Sequence, residues 1–178
     1  PAAYSTLARL GRSIPLQFTP VQAGSSGQQL YDPDACWLLA DILSDNTARA
    51  RTFGTDSALR LPFPCAVKTG TSKDMRDNWA VGWSQRDTVG VWVGNASGAP
   101  MWDVSGTSGA APIWAAVVQH LHAHTPSRAP APPPGLVQAQ VQFGHALEAP
   151  RSEWFLQGTQ QAVFAIDSGA GGVDQESA

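Results

Sequence analysis

Five consecutive residues carry side chains that suit acyl-transfer chemistry. They combine a cation, hydroxyl groups and a residue without a side chain, and they follow an apolar, strand-like run. Acyl transfer needs a nucleophile, a proton acceptor, donors for the developing oxyanion and a grip on the substrate. An edge strand can supply several of these, because its free N–H and C=O groups pair with an extended peptide laid beside it. We predict that all five residues bind the substrate: Lys68, Thr69, Gly70, Thr71 and Ser72.

Each part of this segment has its own expected task. Any side chain at Gly70 would stand between the strand and a reacting carbonyl. The hydroxyls of Thr69 and Thr71 lie on one face by strand alternation and can hold a terminal carboxylate. Lys68 adds positive charge for that carboxylate or for proton transfer, but it shares the opposite face with Gly70. A substrate must therefore lie along the strand's edge, reached from both sides; the alternative is a solvated hairpin with an exposed lysine.

A helix is predicted upstream of this segment. Asp32 and Pro33 supply an N-cap and a first-turn proline, and apolar residues then recur at helical spacing to about Leu43. The helix is expected to fray through residues 44–46. Residues 1–31 are predicted to be irregular because prolines and glycines interrupt short apolar pieces.

Three strand-like runs follow, over residues 65–71, 78–83 and 89–94. The loops between them are short, which favours antiparallel neighbours. A second helix with an apolar stripe is expected over residues 111–122. The predicted fold class is therefore α+β (α/β), an antiparallel sheet meander with flanking helices.

The rest of the chain divides into a linker, a small module and a tail. Residues 1–124 are assigned to the first domain, and residues 125–135, rich in proline and alanine, to an extended linker. Residues 136–166 hold two strand-like runs and are predicted to begin a small β-rich module. Residues 167–178 are predicted to be disordered because their composition offers little to bury.

Composition narrows the function classes. The formal net charge is -3 and the only lysines are Lys68 and Lys73, so no nucleic-acid partner is expected. No apolar run is long enough to cross a bilayer, and no secretory signal is visible after Pro1. Any membrane anchor or export signal must therefore be encoded upstream.

The remaining candidate ligands and nucleophiles favour structural interpretations. His120, His122 and His124 are interpreted as a solvated helix end, since zinc sites need further ligands close by. Neither a metal nor a cofactor is expected. Cys36 and Cys65 are too few for a disulfide framework and are predicted to be buried free thiols, with a single disulfide as the alternative.

Longer stretches around the five residues extend the pattern: residues 67–74 (VKTGTSKD), 76–82 (RDNWAVG) and 88–95 (TVGVWVGN). Together they resemble the transpeptidase domain of bifunctional (class A) penicillin-binding proteins, whose signature includes K-T-G. The resemblance extends over about residues 1–160. Further stretches look most like the penicillin-binding protein 1C branch and its C-terminal module: residues 41–45, 53–59, 104–106, 110–114, 153–156 and 158–159.

The resemblance implies a serine transpeptidase/β-lactamase-like fold and a peptidoglycan transpeptidase. Lys68, Thr69 and Thr71 carry over as carboxylate-binding and proton-network residues, with the Thr71 N–H as an oxyanion donor. The implied partners are a D-alanyl-D-alanine stem peptide and the β-lactams that mimic it. The implied location is the periplasmic face of the bacterial inner membrane, with an upstream anchor and glycosyltransferase domain.

The chain lacks the family's nucleophile motif, S-x-x-K, because Cys65 and Gly70 stand three residues before the two lysines. Residues 44–46 spell S-D-N but are interpreted as helix-end and turn residues. We therefore expect this part of the enzyme to be inactive alone. The alternative is a non-catalytic cell-wall binding or interaction module with tryptophan-rich surfaces. Most tryptophans are expected to be core residues, with Trp102 the candidate for an exposed role.

Overall fold

The chain divides into two units, Pro1–Pro133 and Pro134–Ala178. The computed structural model describes residues 2–18, 26–54, 56–102, 104, 108–125, 127–143, 149–161 and 163–164. In the first unit the elements are α1 (Ala2–Ala8), β1 (Arg12–Ser13), β2 (Gln28–Gln29), α2 (Pro33–Ser44), α3 (Asn46–Phe53), β3 (Ala66–Thr71), a 3-10 turn (Lys73–Met75), β4 (Asp77–Trp83), β5 (Thr88–Gly94) and α4 (Ala110–Leu121). In the second unit they are β6 (Leu136–Phe143), β7 (Arg151–Leu156) and β8 (Val163–Phe164).

The central sheet is the predicted antiparallel meander, with strand order β3-β4-β5. Helix α4 packs on one face of it through Trp114, which is fully buried. A Cβ at Gly82 would lie 2.3 Å from the Trp114 ring, so the strand must carry glycine where the indole crosses it. The expected fold class is confirmed, because helices flank small antiparallel sheets.

Helix α2 begins as predicted. The Asp32 carboxylate accepts hydrogen bonds from the N–H groups of Asp34 and Ala35, and Pro33 occupies the first turn. The Trp37 indole N–H, on the buried side of the helix, donates to the Pro130 carbonyl at 2.9 Å. That bond ties the helix to the end of the first unit.

Two predictions about helices are wrong. Residues 1–31 contain α1 and the short β1–β2 ladder, where Arg12 pairs with Gln29. The predicted fraying after α2 does not occur, because the Asp45 carboxylate accepts from the N–H groups of Thr47 and Ala48 and starts α3. Helix α3 has almost no apolar stripe, so its only sequence signal is this N-cap.

The second unit is a small sheet of order β7-β6-β8, in which β6 pairs antiparallel with β7 and parallel with β8. Its Val141 side chain is fully buried. The two predicted strands are therefore present, while the proposed domain boundaries stay predictions. The predicted tail lies outside the described residues.

Candidate functional site

The K-T-G segment lies on β3, at one edge of the central sheet. The Ser72 N–H donates to the Asp77 carbonyl at 2.9 Å, just beyond the last β3–β4 pair. Hydrogen-bonded pairs alternate along an antiparallel ladder, so residues 68, 70 and 72 point their backbone groups toward β4. The N–H and C=O groups of Thr69 and Thr71 therefore point away from β4, where the described residues contain no further strand.

Lys68 reaches this free edge although its side chain starts on the other face of the sheet. Its ammonium group donates to the Thr69 carbonyl, one of the groups that point outward. The Lys68 ammonium and the Thr71 N–H therefore both lie along the free edge of β3, although Lys68 and Thr71 have their side chains on opposite faces of the strand. The position of the ammonium group is compatible with a substrate reached from both sides of the strand, which stays a prediction.

Gly70 leaves open space on the exposed face of β3. A Cβ added there would have no heavy atom of the protein within 4 Å. Internal packing therefore gives no reason for glycine at this position. The predicted close approach of a ligand to the strand would need glycine here, and it stays a prediction.

Asn78 and Ser72 hold the end of β3 in place. The Asn78 amide donates from Nδ2 to Thr71 Oγ1 at 3.0 Å, and its Oδ1 accepts from the Ala110 N–H at 2.7 Å. The Ser72 hydroxyl accepts from the Asp77 N–H at 2.8 Å, so it closes the turn into β4. Sequence reasoning placed Ser72 among the substrate-binding residues and missed Asn78, whose partners lie 7 and 32 residues away.

Two tryptophans predicted to be core residues are exposed instead. Trp79 and Trp92 are 46% and 44% exposed and lie beside Gly70 in the same cross-strand row. Their rings are 6.5 Å apart, and the Trp92 indole donates to Asp77 Oδ1 at 2.8 Å. The prediction was wrong because strand alternation puts them on the face that α4 does not cover. Trp102, the tryptophan that was the candidate for an exposed role, is 93% exposed.

A serine and histidine pair lies at the other end of the sheet from Thr71. Ser84 Oγ is 2.9 Å from His122 Nε2, and His122 Nδ1 is 2.8 Å from the Val118 carbonyl. His122 is buried, which corrects its prediction as part of a solvated helix end. The Ser84 oxygen accepts from two backbone N–H groups, at Arg86 and Asp87, so it locks the β4–β5 turn to α4.

That pair is too far away to serve the K-T-G segment. Ser84 follows the residue that pairs with Ala66, which is five positions from Thr71 and hence roughly 17 Å away along the strand. Among the described residues, no group of three or more His, Cys, Asp or Glu could hold a metal ion. None of the described helices is long and apolar enough to cross a membrane.

The S-D-N triplet also lies away from the K-T-G segment. Ser44 lines an apolar pocket of about 290 Å³ together with Cys65 and Ala66, at the opposite end of β3 from Thr71. Asp45 is occupied as the N-cap of α3. The triplet therefore has a structural role in this chain.

Both cysteines are free and buried, as predicted. Burial raises the pKa of the Cys65 thiol to about 12, an effect that the neighbouring Arg49 charge opposes. Burial, followed by the charge of Asp32, raises the pKa of Cys36 as well. Both shifts favour the protonated thiol near neutral pH, which is the less nucleophilic form.

No family model matches the chain. Penicillin-binding protein 1C of Escherichia coli is 34% identical over 112 residues, which cover 63% of this chain and 14% of that protein. Penicillin-binding protein 1B of Vibrio cholerae is 29% identical over 130 residues, covering 66% of this chain and 16% of that protein. Penicillin-binding protein 1A of E. coli is 30% identical over 118 residues, 56% of this chain and 14% of that protein. The chain thus spans about one seventh of the length of these curated relatives.

The fold is also found among solved structures of penicillin-binding proteins. The crystal structure of penicillin-binding protein 1A from Haemophilus influenzae superposes with a TM-score of 0.72, over 92% of this chain and 32% of that chain. The sequence identity is 17%, so this likeness bears on the fold alone.

Proposed function

We propose that this chain, which is homologous to class A penicillin-binding proteins over about 60% of its length, supplies the substrate-gripping strand of a peptidoglycan D,D-transpeptidase. Strand β3 pairs with the extended end of a D-alanyl-D-alanine stem peptide or with a β-lactam. The observation that carries the proposal is the free edge of β3, where the Thr71 N–H and the Lys68 ammonium reach the same line.

Each residue has a role at that edge. The hydroxyls of Thr69 and Thr71 and the Lys68 ammonium bind the substrate carboxylate, because charge-assisted hydrogen bonds are the strong ones. The Thr71 N–H donates to the oxyanion, and Lys68 also belongs to the proton-transfer network. Gly70 leaves room for the reacting carbonyl, and Ser72 holds the turn that ends the strand.

The serine nucleophile and its lysine belong to another part of the protein that contains this chain. Neither lysine of this chain has a serine three residues before it. The protein acts in cell-wall synthesis at the periplasmic face of the bacterial inner membrane, anchored upstream of this chain and linked to a glycosyltransferase domain. The 178 residues alone are inactive.

The experiment is covalent labelling with a fluorescent β-lactam. We expect no labelling of the isolated 178-residue chain, because the nucleophile is elsewhere. The longer protein is labelled, and Lys68→Ala lowers the acylation rate constant by about 100-fold. Lys73→Ala is the matched control, since Lys73 is the other lysine, lies five residues away in the 3-10 turn and points into solvent.

Two results would contradict the proposal. Labelling of the isolated chain would show that it contains a nucleophile. Equal acylation of the Lys68→Ala and Lys73→Ala variants would show that the β3 lysine has no special place in the site.

The exposed Trp79 and Trp92 rings favour a second candidate, a non-catalytic module that binds cell-wall glycan or a partner protein through them. In that case the longer protein is not labelled by β-lactam, while a double Trp79→Ala, Trp92→Ala variant loses sedimentation with purified peptidoglycan.

A further inference from the structure

The buried Asn78 side chain connects the end of β3 to the start of α4. It is 0% exposed and lies directly across the ladder from Thr71. Residues opposite each other on one face of a sheet have their Cβ atoms close enough to interact directly. Burying an amide without hydrogen bonds is costly in free energy. The hydrogen bonds of Asn78 therefore constrain the positions of the groups that it contacts.

The Ala110 N–H can only donate, and this fixes the direction of both Asn78 hydrogen bonds. The Ala110 N–H has no acceptor atom, so the Asn78 atom that faces it at 2.7 Å must be the carbonyl oxygen. The amide NH2 group therefore faces Thr71 Oγ1, at 3.0 Å. Because the threonine oxygen accepts this bond, its own hydrogen is free to point toward the exposed edge.

Helix α4 strengthens this arrangement. Its cap residue, Gly109, makes no side-chain cap bond, so Asn78 caps the helix from another element. Twelve residues of helix place a positive partial charge at that end, next to Asn78 Oδ1. Hydrogen bonds in a chain polarise one another, so the positive end of the helix makes the Thr71 hydroxyl a better donor.

Gly109 makes the close approach of the helix possible. A Cβ at this position would come within 2.4 Å of Asn78 Oδ1 and 2.7 Å of the Val104 side chain. The absence of a side chain at Gly109 thus lets the helix start lie against the Asn78 amide. Its backbone is not in the left-handed region, so space alone is the reason for glycine here.

We propose that Asn78 is a positioning residue that aims the Thr71 hydroxyl at the substrate carboxylate. The inference rests on the carboxylate-binding role proposed for Thr71. Asn78 itself does not touch the substrate. It fixes the direction in which the hydroxyl donates and connects that hydroxyl to the positive end of α4.

Asn78→Asp in the longer protein tests the inference. Aspartate has nearly the same shape, but an ionised carboxylate only accepts, so Thr71 must donate inward to it and cannot donate to the substrate. We expect acylation by a β-lactam with a free carboxylate to fall by about 10- to 100-fold, the worth of one hydrogen bond to a charged group. Acylation by the methyl ester of the same β-lactam changes little, so the acid-to-ester ratio falls. Rates are expressed per titrated active site.

Thr71→Val separates this inference from the proposed function. If Thr71→Val leaves the acid-to-ester ratio unchanged, the proposed role of Thr71 fails. If Thr71→Val lowers the ratio and Asn78→Asp does not, only the inference about Asn78 fails. The double variant should be no worse than Thr71→Val alone, since both changes remove the same hydrogen bond.

A merely structural role for Asn78 predicts a different result. Acid and ester would then lose the same factor, and that outcome overturns the inference. Because aspartate also brings a negative charge that repels the acid, the uncharged Gly109→Ala variant must lower the same ratio, since its Cβ disturbs the same Asn78 oxygen from outside the site. An unchanged ratio in Gly109→Ala would overturn the inference, whether or not Asn78→Asp folds.

Discussion

At the scale of single residues, two glycines in the central sheet have opposite reasons to be glycine. Gly82 is required by the interior, because the Trp114 ring and the Ala66 carbonyl occupy the position of its Cβ. Gly70 faces open space, and its proposed reason is the close approach of a substrate from outside. Stability and activity should therefore separate at these two positions.

Gly70→Ala is expected to change the free energy of unfolding by less than about 0.5 kcal/mol, as most surface substitutions do. The same change should lower β-lactam acylation of the longer protein strongly, since the methyl group blocks the strand. Gly82→Ala is the matched control and should cost about 1–3 kcal/mol through overpacking. Urea denaturation and labelling rates check both. A Gly70→Ala variant with normal acylation would contradict the assigned role.

At the scale of elements, hydrogen-bonding caps set where α2, α3 and α4 begin. Asp32 and Asp45 directly precede the helices that they cap, whereas α4 takes its cap from Asn78, which lies on β4. The S-D-N triplet is thus a helix boundary, with Asp45 as its structural residue.

Asp45→Ala is expected to cost about 1 kcal/mol of stability, because two α3 N–H groups lose their acceptor. Ser44→Ala and Asn46→Ala should leave β-lactam acylation of the longer protein within about twofold, because the triplet lies away from the K-T-G segment. A twofold change in rate corresponds to about 0.4 kcal/mol of activation free energy. Thermal melts and labelling rates measure the two effects. Acylation lost in Ser44→Ala would mean that the triplet belongs to the active site.

At the scale of the whole molecule, the site residues and their packing partners all lie in the first unit, Pro1–Pro133. Deletion of residues 134–178 from the longer protein should therefore keep β-lactam acylation within about twofold, as expected for a separately built domain. Gel-based labelling of the truncated and complete proteins makes the comparison. Complete loss of labelling would show that the second unit contributes to the site.

The buried Cys65 thiol makes stability depend on alkaline pH. Burial raises the pKa of this thiol from 9.0 to about 12, so the folded state keeps the proton to higher pH than the unfolded chain does. This contribution to stability is complete below about pH 9 and is lost as the pH rises toward 12, by up to about 1.4 kcal/mol per pH unit.

Urea denaturation of the 178-residue chain between pH 8 and 11 measures this loss as the difference between the protein and its Cys65→Ala variant. Cys36→Ala serves as the control and should retain the Cys65 contribution. Parallel pH profiles for the protein and the Cys65→Ala variant would contradict the predicted loss of stability from Cys65.

The sequence by itself determined the K-T-G strand, the meander and the start of α2, because each depends on neighbours within a few residues. Strand alternation placed Thr69 and Thr71 on one face, and the Asp32–Pro33 pair marked the helix start. Helices α1 and α3 were missed, since α1 is only seven residues long and α3 lacks an apolar stripe.

Only the tertiary structure decided which groups meet at the site. The Asn78 side chain joins Thr71 to a helix that begins 32 residues later, and no local pattern encodes that contact. The exposure of Trp79 and Trp92 depends on which face α4 covers, and the burial of His122 depends on the turn that packs against it. Local sequence sets the direction of side chains along an element, whereas burial and long-range hydrogen bonds depend on how the elements pack together.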